Sequence, residues 1–386
     1  MRRLPRWVAY ASTQVNNYMT DTERLLILNM IEDVGSIRTR CLLEYFGSLS
    51  KVFEAGEDEL KRVKKIGSLI APKIVQGIRE IDLNKELKLI KRHNVKVITF
   101  IDEDYPVSLK NIHDPPVVLY VKGEILPEDD IAIAIVGSRK ASFYGMQTAE
   151  RLGYELASRG VTIVSGMARG IDSSAHRGAL KANKRTIAVL GSGLANIYPE
   201  EHIILAEEIS SKGAVISEFA METIPDRGNF PKRNRIISGL SKGVVVVEAA
   251  QKSGALITAD CALEQGKEVF AVPGKVDSLT SKGTNGLIKQ GAKLAETVED
   301  VLEELNLKNH PHPGSGLRPD PGWGWYGTKL DKTESIVYNL LSSDPQHIDE
   351  VSDVTGLGIS EISKTLLNLE LRKLVKQLPG KNYVKA

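Results

Sequence analysis

The chain has 386 residues, which is too long for one average domain and favours two or three. Its formal net charge of +2 does not mark a nucleic-acid-binding protein, so such a function must rest on local clusters. No apolar stretch approaches the length of a membrane span, and Cys41 and Cys261 lack metal spacing and are expected to be buried. We therefore expect a cytoplasmic protein without a cofactor, a metal or a membrane partner.

The N-terminal region is predicted to be a disordered tail at 1–20 and a helical domain at 21–90. Apolar residues recur there at helical spacing, and glycine turns follow Val34 and Ile66. Helix, apolar residue, glycine turn and helix is the pattern of helix-hairpin-helix units, in which the glycine lets a phosphate backbone approach. A small helical bundle with glycine turns explains the pattern equally well.

The central region, which we place at 91–305, begins with two strands and continues with short β-branched runs. Helical segments separate most of these runs, which is typical of a parallel sheet buried on both faces. We therefore predict a Rossmann-like, doubly wound, mostly parallel α/β fold. The predicted strands are 95–101, 117–121, 131–136, 161–164, 186–190, 214–216, 244–247 and 269–272.

The C-terminal region consists of a linker rich in proline and glycine at 306–330 and a small domain at 331–386. The domain shows three short helical patterns and a hairpin around Pro379-Gly380, which is typical of a winged helix. We expect Ser360 to be the N-cap residue of the third helix. That helix carries mixed charges and is weakly basic for a reader of the major groove.

Three predicted strands end in glycine and small polar residues. Ligands of open α/β sheets lie beyond the carboxyl ends of the strands, so we expect these loops at one edge. Glycines let backbone N–H groups approach a phosphate, and a following helix N-terminus favours the anion, although strand-to-helix packing alone also explains them. The predicted phosphate-binding residues are Gly137, Ser138, Arg139, Gly166, Arg169, Gly170, Gly191, Ser192 and Gly193.

A basic cluster beside an aromatic residue gives the strongest indication of the ligand. Lysine and arginine suit successive phosphates, and phenylalanine suits the stacking of a base. A charged, solvated helix start is the alternative interpretation, and neither a dinucleotide fingerprint nor a P-loop is present. The predicted DNA-binding residues of this cluster are Phe230, Lys232, Arg233, Asn234 and Arg235.

Together these phrases resemble the DNA-processing protein A (DprA, also called Smf) family. The matching phrases are Gly137-Ser138-Arg139, Ser165-Gly166 with Gly170-Ile171-Asp172 and His176, Gly191-Ser192-Gly193 with Ile197-Tyr198-Pro199, Phe230-Pro231 with Arg233 to Ser241, and Ser253 to Ala259. The resemblance implies sequence-independent binding of single-stranded DNA, protection of incoming DNA during natural transformation, loading of the RecA recombinase, and a homodimer formed through the Rossmann-like domain.

One departure from the family pattern follows Tyr198-Pro199. Similar proteins commonly carry a basic residue there, whereas Glu200 and Glu201 stand in this chain. The departure argues against a phosphate contact at this position.

Two other functions fit parts of the pattern. A Rossmann-like nucleotide phosphoribohydrolase would use Glu264 as its catalytic carboxylate, but the glycines of that motif are missing. A winged-helix transcription regulator would sense a nucleotide and bind duplex DNA.

Asp172 and His176 lie on one helix, which is awkward for a hydrolytic triad, so we interpret His176 as a structural hydrogen-bonding partner. We expect no catalytic residues, and the cluster at Phe230 favours single-stranded DNA.

Overall fold

The computed structural model describes residues 19–307 and 330–385, apart from 343, 344, 373 and 379. Most of the expected tail and of the expected linker lies outside these residues. The described residues group into two compact units, one on each side of the gap at 308–329. In this part of the chain no helix is long and apolar enough to cross a membrane.

Within the first unit, six helices precede the sheet. They are α1 (Asp21–Met30), α2 (Ser36–Phe46), α3 (Leu49–Glu54), α4 (Glu57–Leu60), α5 (Gly67–Glu80) and α6 (Leu83–Arg92). Thr20 begins α1 with a capping box, in which its hydroxyl accepts the Glu23 amide and the Glu23 carboxylate accepts the Thr20 amide. Leu25 and Leu42 are fully buried in a core that also contains Tyr120 of the sheet. The helices and the sheet therefore share one core.

The described strands of the first unit form one nine-stranded sheet in the order β1-β2-β6-β5-β4-β3-β7-β8-β9. The strands are β1 (Lys96–Thr99), β2 (Val118–Gly123), β3 (Ala132–Val136), β4 (Thr162–Ser165), β5 (Thr186–Val189), β6 (Ala214–Ser217), β7 (Gly243–Val246), β8 (Glu268–Ala271) and β9 (Lys293–Leu294). Strands β3 to β9 are parallel, and β1 and β2 form an antiparallel edge. The predicted mostly parallel sheet is confirmed, and β9 is an additional short strand.

Helices cover both faces of this sheet. They are α7 (Val107–Lys110), α8 (Phe143–Ser158), α9 (Ile171–Lys181), α10 (Ile203–Lys212), α11 (Asn229–Leu240), α12 (Gly254–Glu264), α13 (Lys282–Lys289) and α14 (Val298–Glu304). Successive side chains of a strand point to opposite faces, so Ile133 packs in the core with α8 and α9, whereas Ala134 packs in the core with α11 and α12. The strand order reverses between β3 and β7, which places the crevice for a ligand at their carboxyl ends.

The second unit has the predicted winged-helix elements. They are α15 (Lys332–Leu340), β10 (Gln346–His347), α16 (Ile348–Thr355), α17 (Ile359–Leu371), β11 (Val375–Leu378) and β12 (Asn382–Lys385), with strand order β10-β12-β11. The expectation that Ser360 caps the third helix is wrong, because Gly358 is the N-cap residue. Gly356 ends α16 in the left-handed region at φ 68°, which brings the chain to its next helix within two residues.

Candidate nucleic-acid interface

A cleft of about 600 Å³ lies beyond the carboxyl ends of β3 and β7. Its walls are the loop after β3, the first turns of α11 and the first turns of α12. The cleft therefore occupies the crevice that the reversal of strand order creates. Predicted site residues that line it are Gly137, Ser138, Arg139, Phe230, Arg233 and Asn234.

Arg139, Phe230 and Tyr198 form a stacked group at this edge of the sheet. The guanidinium carbon of Arg139 lies 4.6 Å from the centroid of the Phe230 ring, which is a cation–π contact. The Tyr198 ring lies 5.9 Å from the same ring, centroid to centroid, with the two planes inclined at 44°. Tyr198 is 37% exposed and Arg139 is exposed. Two aromatic faces beside a cation suit the stacking of bases next to a phosphate.

Tyr198 is absent from the predicted binding residues, although it stands in a phrase that carries the family resemblance. Pro199 follows it directly, and the segment lies in the connection between β5 and α10. An aromatic residue shortly after a strand-end loop is the sequence signal that points to it.

Lys232 lies on the first turns of α11 and is exposed. Within the residues that the structure describes, neither Lys232 nor Arg139 forms an ion pair with a carboxylate. Both charges are therefore available to an anionic ligand, and each phosphate they neutralise would release counterions.

Arg233 has a different environment from its neighbour Lys232. It is only 4% exposed, and its guanidinium donates to the carbonyl oxygens of Gly166, at 2.8 Å, and Val189. Burial lowers the pKa of Arg233 to about 10, an effect that the nearby Asp172 carboxylate opposes. Asn234 is also buried and donates to the Gly254 carbonyl oxygen. These two side chains hold strand-end loops together and do not face solvent.

Arg235 and Arg169 are engaged with carboxylates of the protein. Arg235 is mostly buried and pairs with Glu218 at 2.6 Å and with Asp114 at 3.1 Å. Arg169 is exposed, and its guanidinium donates to both oxygens of Glu201. The Arg169 guanidinium lowers the pKa of Glu201 to about 2. Glu201, which departs from the family pattern, thus forms an ion pair with Arg169, a predicted phosphate-binding residue.

Several backbone amides of the strand-end loops are hydrogen-bonded within the protein. The buried carboxylate of Asp172 accepts the Gly166 amide at 3.1 Å, and the amides of Ala168 and Gly137 also stabilise it. Desolvation by burial nevertheless raises the pKa of Asp172. The Ser138 amide donates to the Glu248 carbonyl oxygen at 2.7 Å. Side chains rather than these amides therefore present the polar surface of the cleft.

The N-terminus of α8 is occupied by a carboxylate of the chain itself. Glu248 is 4% exposed and accepts the amide of Ser142 at 3.1 Å and its hydroxyl at 2.6 Å. A Cβ atom at Gly145 would lie 2.1 Å from Glu248 Oε2, so a larger residue there would displace this carboxylate. A phosphate was expected at this helix N-terminus next to Gly137-Ser138-Arg139, and the Glu248 carboxylate lies there instead.

The glycines of the predicted loops lie against other parts of the protein. A Cβ at Gly166 would lie 2.5 Å from the Arg233 guanidinium, and one at Gly191 would lie 2.7 Å from the Phe230 ring. Gly193 approaches the Ala220 carbonyl oxygen, and Gly170 takes the left-handed region at φ 76°. The neighbouring Ser192 is 1% exposed and donates to the Asn196 carbonyl oxygen. These contacts shape the cleft by close packing.

Four further residues were assigned a role or an environment from the sequence. His176 is fully buried and its Nδ1 lies 2.7 Å from the Thr186 hydroxyl, which confirms the structural interpretation. Glu264, the carboxylate that the phosphoribohydrolase alternative needs, is exposed at the C-terminal end of α12 and does not line the cleft. Cys41 and Cys261 are half-buried rather than buried, so that expectation is wrong.

Comparison with known proteins identifies the family. The family model described as DNA recombination-mediator protein A matches residues 96–306, and the model described as the DprA winged helix domain matches 327–381. Protein Smf of Escherichia coli (strain K12) is 41% identical over 307 residues, which cover 78% of this chain and 80% of that protein.

Two solved structures are also similar to this chain. An X-ray structure of DNA processing protein A from Streptococcus pneumoniae has 34% identity and a TM-score of 0.64, covering 74% of this chain and 98% of that one. A structure of DNA processing protein A from Helicobacter pylori, described for its single-stranded DNA binding mode, has 32% identity and a TM-score of 0.50, covering 56% and 98%. The chain belongs to the DNA recombination-mediator protein A (DprA/Smf) family.

Proposed function

We propose that the chain binds single-stranded DNA without sequence preference at the cleft beyond β3 and β7. The observation that carries this proposal is the stacked group of Arg139, Phe230 and Tyr198. Every base has an aromatic face, so stacking on Phe230 and Tyr198 tolerates any sequence. Arg139 and Lys232 supply exposed positive charge for the adjoining phosphates.

Two further observations support a single strand over a small nucleotide. The N-terminus of α8, where a nucleotide phosphate would bind in a dinucleotide-type site, carries Glu248 instead. The related protein from Helicobacter pylori is described by its single-stranded DNA binding mode. A strand that crosses the cleft would use the charges of Arg139 and Lys232 and the exposed ring of Tyr198, beside the half-buried ring of Phe230.

The test compares a labelled oligo-dT strand on the wild type and on Arg139→Ala/Lys232→Ala, with matched duplex as competitor. The double variant is expected to lose most of its single-strand affinity, because two phosphate contacts and one side of the stack are removed. Lys184→Ala/Lys212→Ala, which removes two exposed lysines at the opposite edge of the sheet, is the control. Unchanged binding by the double variant, or a preference for duplex, would contradict the proposal.

We also propose that the protein protects incoming DNA and helps load the RecA recombinase during natural transformation and recombination. Two points support this proposal: the chain belongs to the family, and the proposed site would bind a DNA strand at one edge of the sheet. RecA filament formation on DNA coated with a single-strand-binding protein, with and without this chain, measures the loading. No acceleration of filament formation would contradict it.

The proposed homodimer has a candidate surface on α12. Ile257 and Leu263 are 39% and 59% exposed on this helix, and Ile257 also lines the cleft. A second copy docked there would bury Leu263 and place the two clefts beside one interface. Leu263→Arg is expected to give a monomer in light scattering, whereas a dimer of unchanged stability would exclude this surface.

A further inference from the structure

The N-terminal helices are fixed to the edge of the sheet that carries the cleft. Asn29 at the end of α1 donates to the Glu218 carbonyl oxygen at 2.8 Å, and Glu86 of α6 accepts the Met221 amide at 2.9 Å. Both acceptor and donor belong to the segment that follows β6. The turn between α1 and α2 therefore lies at the same edge as the predicted DNA-binding residues.

A series of direct contacts links that turn to Lys232. Ser36, the first residue of α2, donates to Asp114, and Asp114 pairs with Arg235 at 3.1 Å. Arg235 in turn donates to the Lys232 carbonyl oxygen at 3.3 Å. The pKa of Asp33 is lowered first by the hydrogen bond from Lys73, and the positive charge of Lys232 contributes. Lys232 is thus within electrostatic range of the α1–α2 turn.

Arg38 joins this turn to the turn between α4 and α5. Its guanidinium donates to the carbonyl oxygen of Asp33 and, at 2.9 Å, to that of Lys65. Asp33 and Lys65 both have positive φ angles, of 64° and 67°, at equivalent places before α2 and α5. The turn between α4 and α5 therefore lies beside the turn between α1 and α2.

The α4–α5 turn carries a concentrated positive charge. Four of its five residues from 61 to 65 are cations. Lys61 pairs with Glu57 and Asp58, but Arg62, Lys64 and Lys65 are exposed and form no ion pair with any described residue. The neighbouring carboxylates, Glu32 and Asp33, are bound by Lys73. Leu69, on the first turn of α5, is 82% exposed and adds an apolar contact for a sugar or base.

We propose that the α4–α5 turn is a second contact for the same single strand, which leaves the cleft at Lys232 and continues across the helical hairpins to Arg62, Lys64 and Lys65. The inference rests on the proposed function of the cleft. The shared edge and the run of contacts through Asp114 and Arg38 favour continuation of one strand. The cations at the turn would neutralise its backbone phosphates without reading its sequence.

The experiment measures binding of a short oligo-dT of about six nucleotides, enough for the cleft, and a long one of about twenty-five, over a range of salt. The variant is Arg62→Ala/Lys64→Ala/Lys65→Ala. Its matched control, Arg92→Ala/Lys184→Ala/Lys212→Ala, removes the same charge from exposed residues near the opposite edge. The circular dichroism melting curve of each variant verifies that it folds.

The expected result is a loss of about tenfold in affinity for the long strand, with affinity for the short strand unchanged. The slope of log affinity against log salt on the long strand should fall by up to about two, since each lost phosphate contact removes about 0.7. The control triple should match the wild type on both strands.

Three results would overturn the proposal. Equal long-strand affinity and salt slope in the variant and the wild type would remove the turn from the strand's path while leaving the cleft intact. A variant that lost duplex binding but kept long-strand binding would assign the turn to duplex DNA. A wild type that bound neither strand would overturn both this inference and the proposed function.

Discussion

The carboxylate of Glu248 caps the N-terminus of α8 by accepting both the amide and the hydroxyl of Ser142. In a nucleotide-binding Rossmann fold, the corresponding helix N-terminus receives a phosphate. Here the protein supplies its own anion, and Gly145 on the first turn of α8 approaches that carboxylate closely. The crevice where the strand order reverses is still present in this sheet. A ligand that binds in the crevice has to be recognised by side chains at its rim.

Glu248→Gln is expected to destabilise the first unit by about 1–2 kcal/mol. The substitution keeps the shape of the side chain but removes a buried negative charge at a helix N-terminus and weakens charge-assisted hydrogen bonds. Urea denaturation followed by circular dichroism measures the loss. Glu264→Gln, an exposed carboxylate at the end of α12, is the control and should change stability by less than about 0.5 kcal/mol. Equal stability of the two variants would contradict the role of Glu248.

Arg233→Met and Lys232→Met are expected to separate folding from binding. Arg233 is buried, so its loss removes a donor to two carbonyl oxygens and the positive charge beside Asp172, at a cost of about 3 kcal/mol or more. Lys232 is exposed, so its loss should leave stability within about 0.5 kcal/mol. Lys232→Met should instead weaken single-strand binding and reduce the salt slope by about 0.7. Urea denaturation and fluorescence anisotropy on the same two proteins give both quantities, and a reversed pattern would contradict the assignment.

The contrast between these adjacent residues shows where the sequence stops being informative. Lys232 and Arg233 are adjacent cations close to an aromatic residue. Residue type alone therefore assigns both side chains the same role, phosphate binding. The turn of α11 places Arg233 against the ends of β4 and β5 and leaves Lys232 in solvent. Which side of a helix faces the sheet depends on the three-dimensional packing of that helix, and a charge cluster of four residues is too short to reveal it.

The strands of the central sheet were predictable because a continuous β-branched run between helical segments is typical of a parallel strand buried on both faces. The exception is β9, which has two residues, both exposed, and no apolar run. The order of the strands is also invisible in a single sequence, since it depends on where each connecting helix crosses. The internal role of Asp172 and Glu248 was missed for the same reason, because each carboxylate meets its amides only after the sheet has formed.

His176 predicts how stability depends on pH. Burial lowers its pKa from 6.5 to about 3 in the folded protein. As the pH falls below 6.5, His176 becomes protonated in the unfolded chain but stays neutral in the folded chain. This difference lowers the free energy of unfolding by up to about 1.4 kcal/mol per pH unit, down to about pH 3. His176→Gln should therefore show a shallower fall in unfolding free energy between pH 6.5 and pH 4 than the wild type does. The measurement compares the slope of unfolding free energy against pH in the variant and in the wild type. Identical slopes would contradict the prediction.

Glu201→Gln is expected to increase single-strand affinity several-fold. The Glu201 carboxylate now holds the exposed guanidinium of Arg169, a predicted phosphate-binding residue next to Tyr198. Because the pKa of Glu201 is about 2, the carboxylate stays ionised at any pH where binding is measured, and pH alone will not release the arginine. The substitution should also steepen the salt slope by about 0.7, since Arg169 would gain a phosphate contact. Glu200→Gln removes the same charge one residue away without releasing Arg169, so it should produce only a small electrostatic gain. Equal gains in both variants would mean that net charge, and not the release of Arg169, sets the affinity.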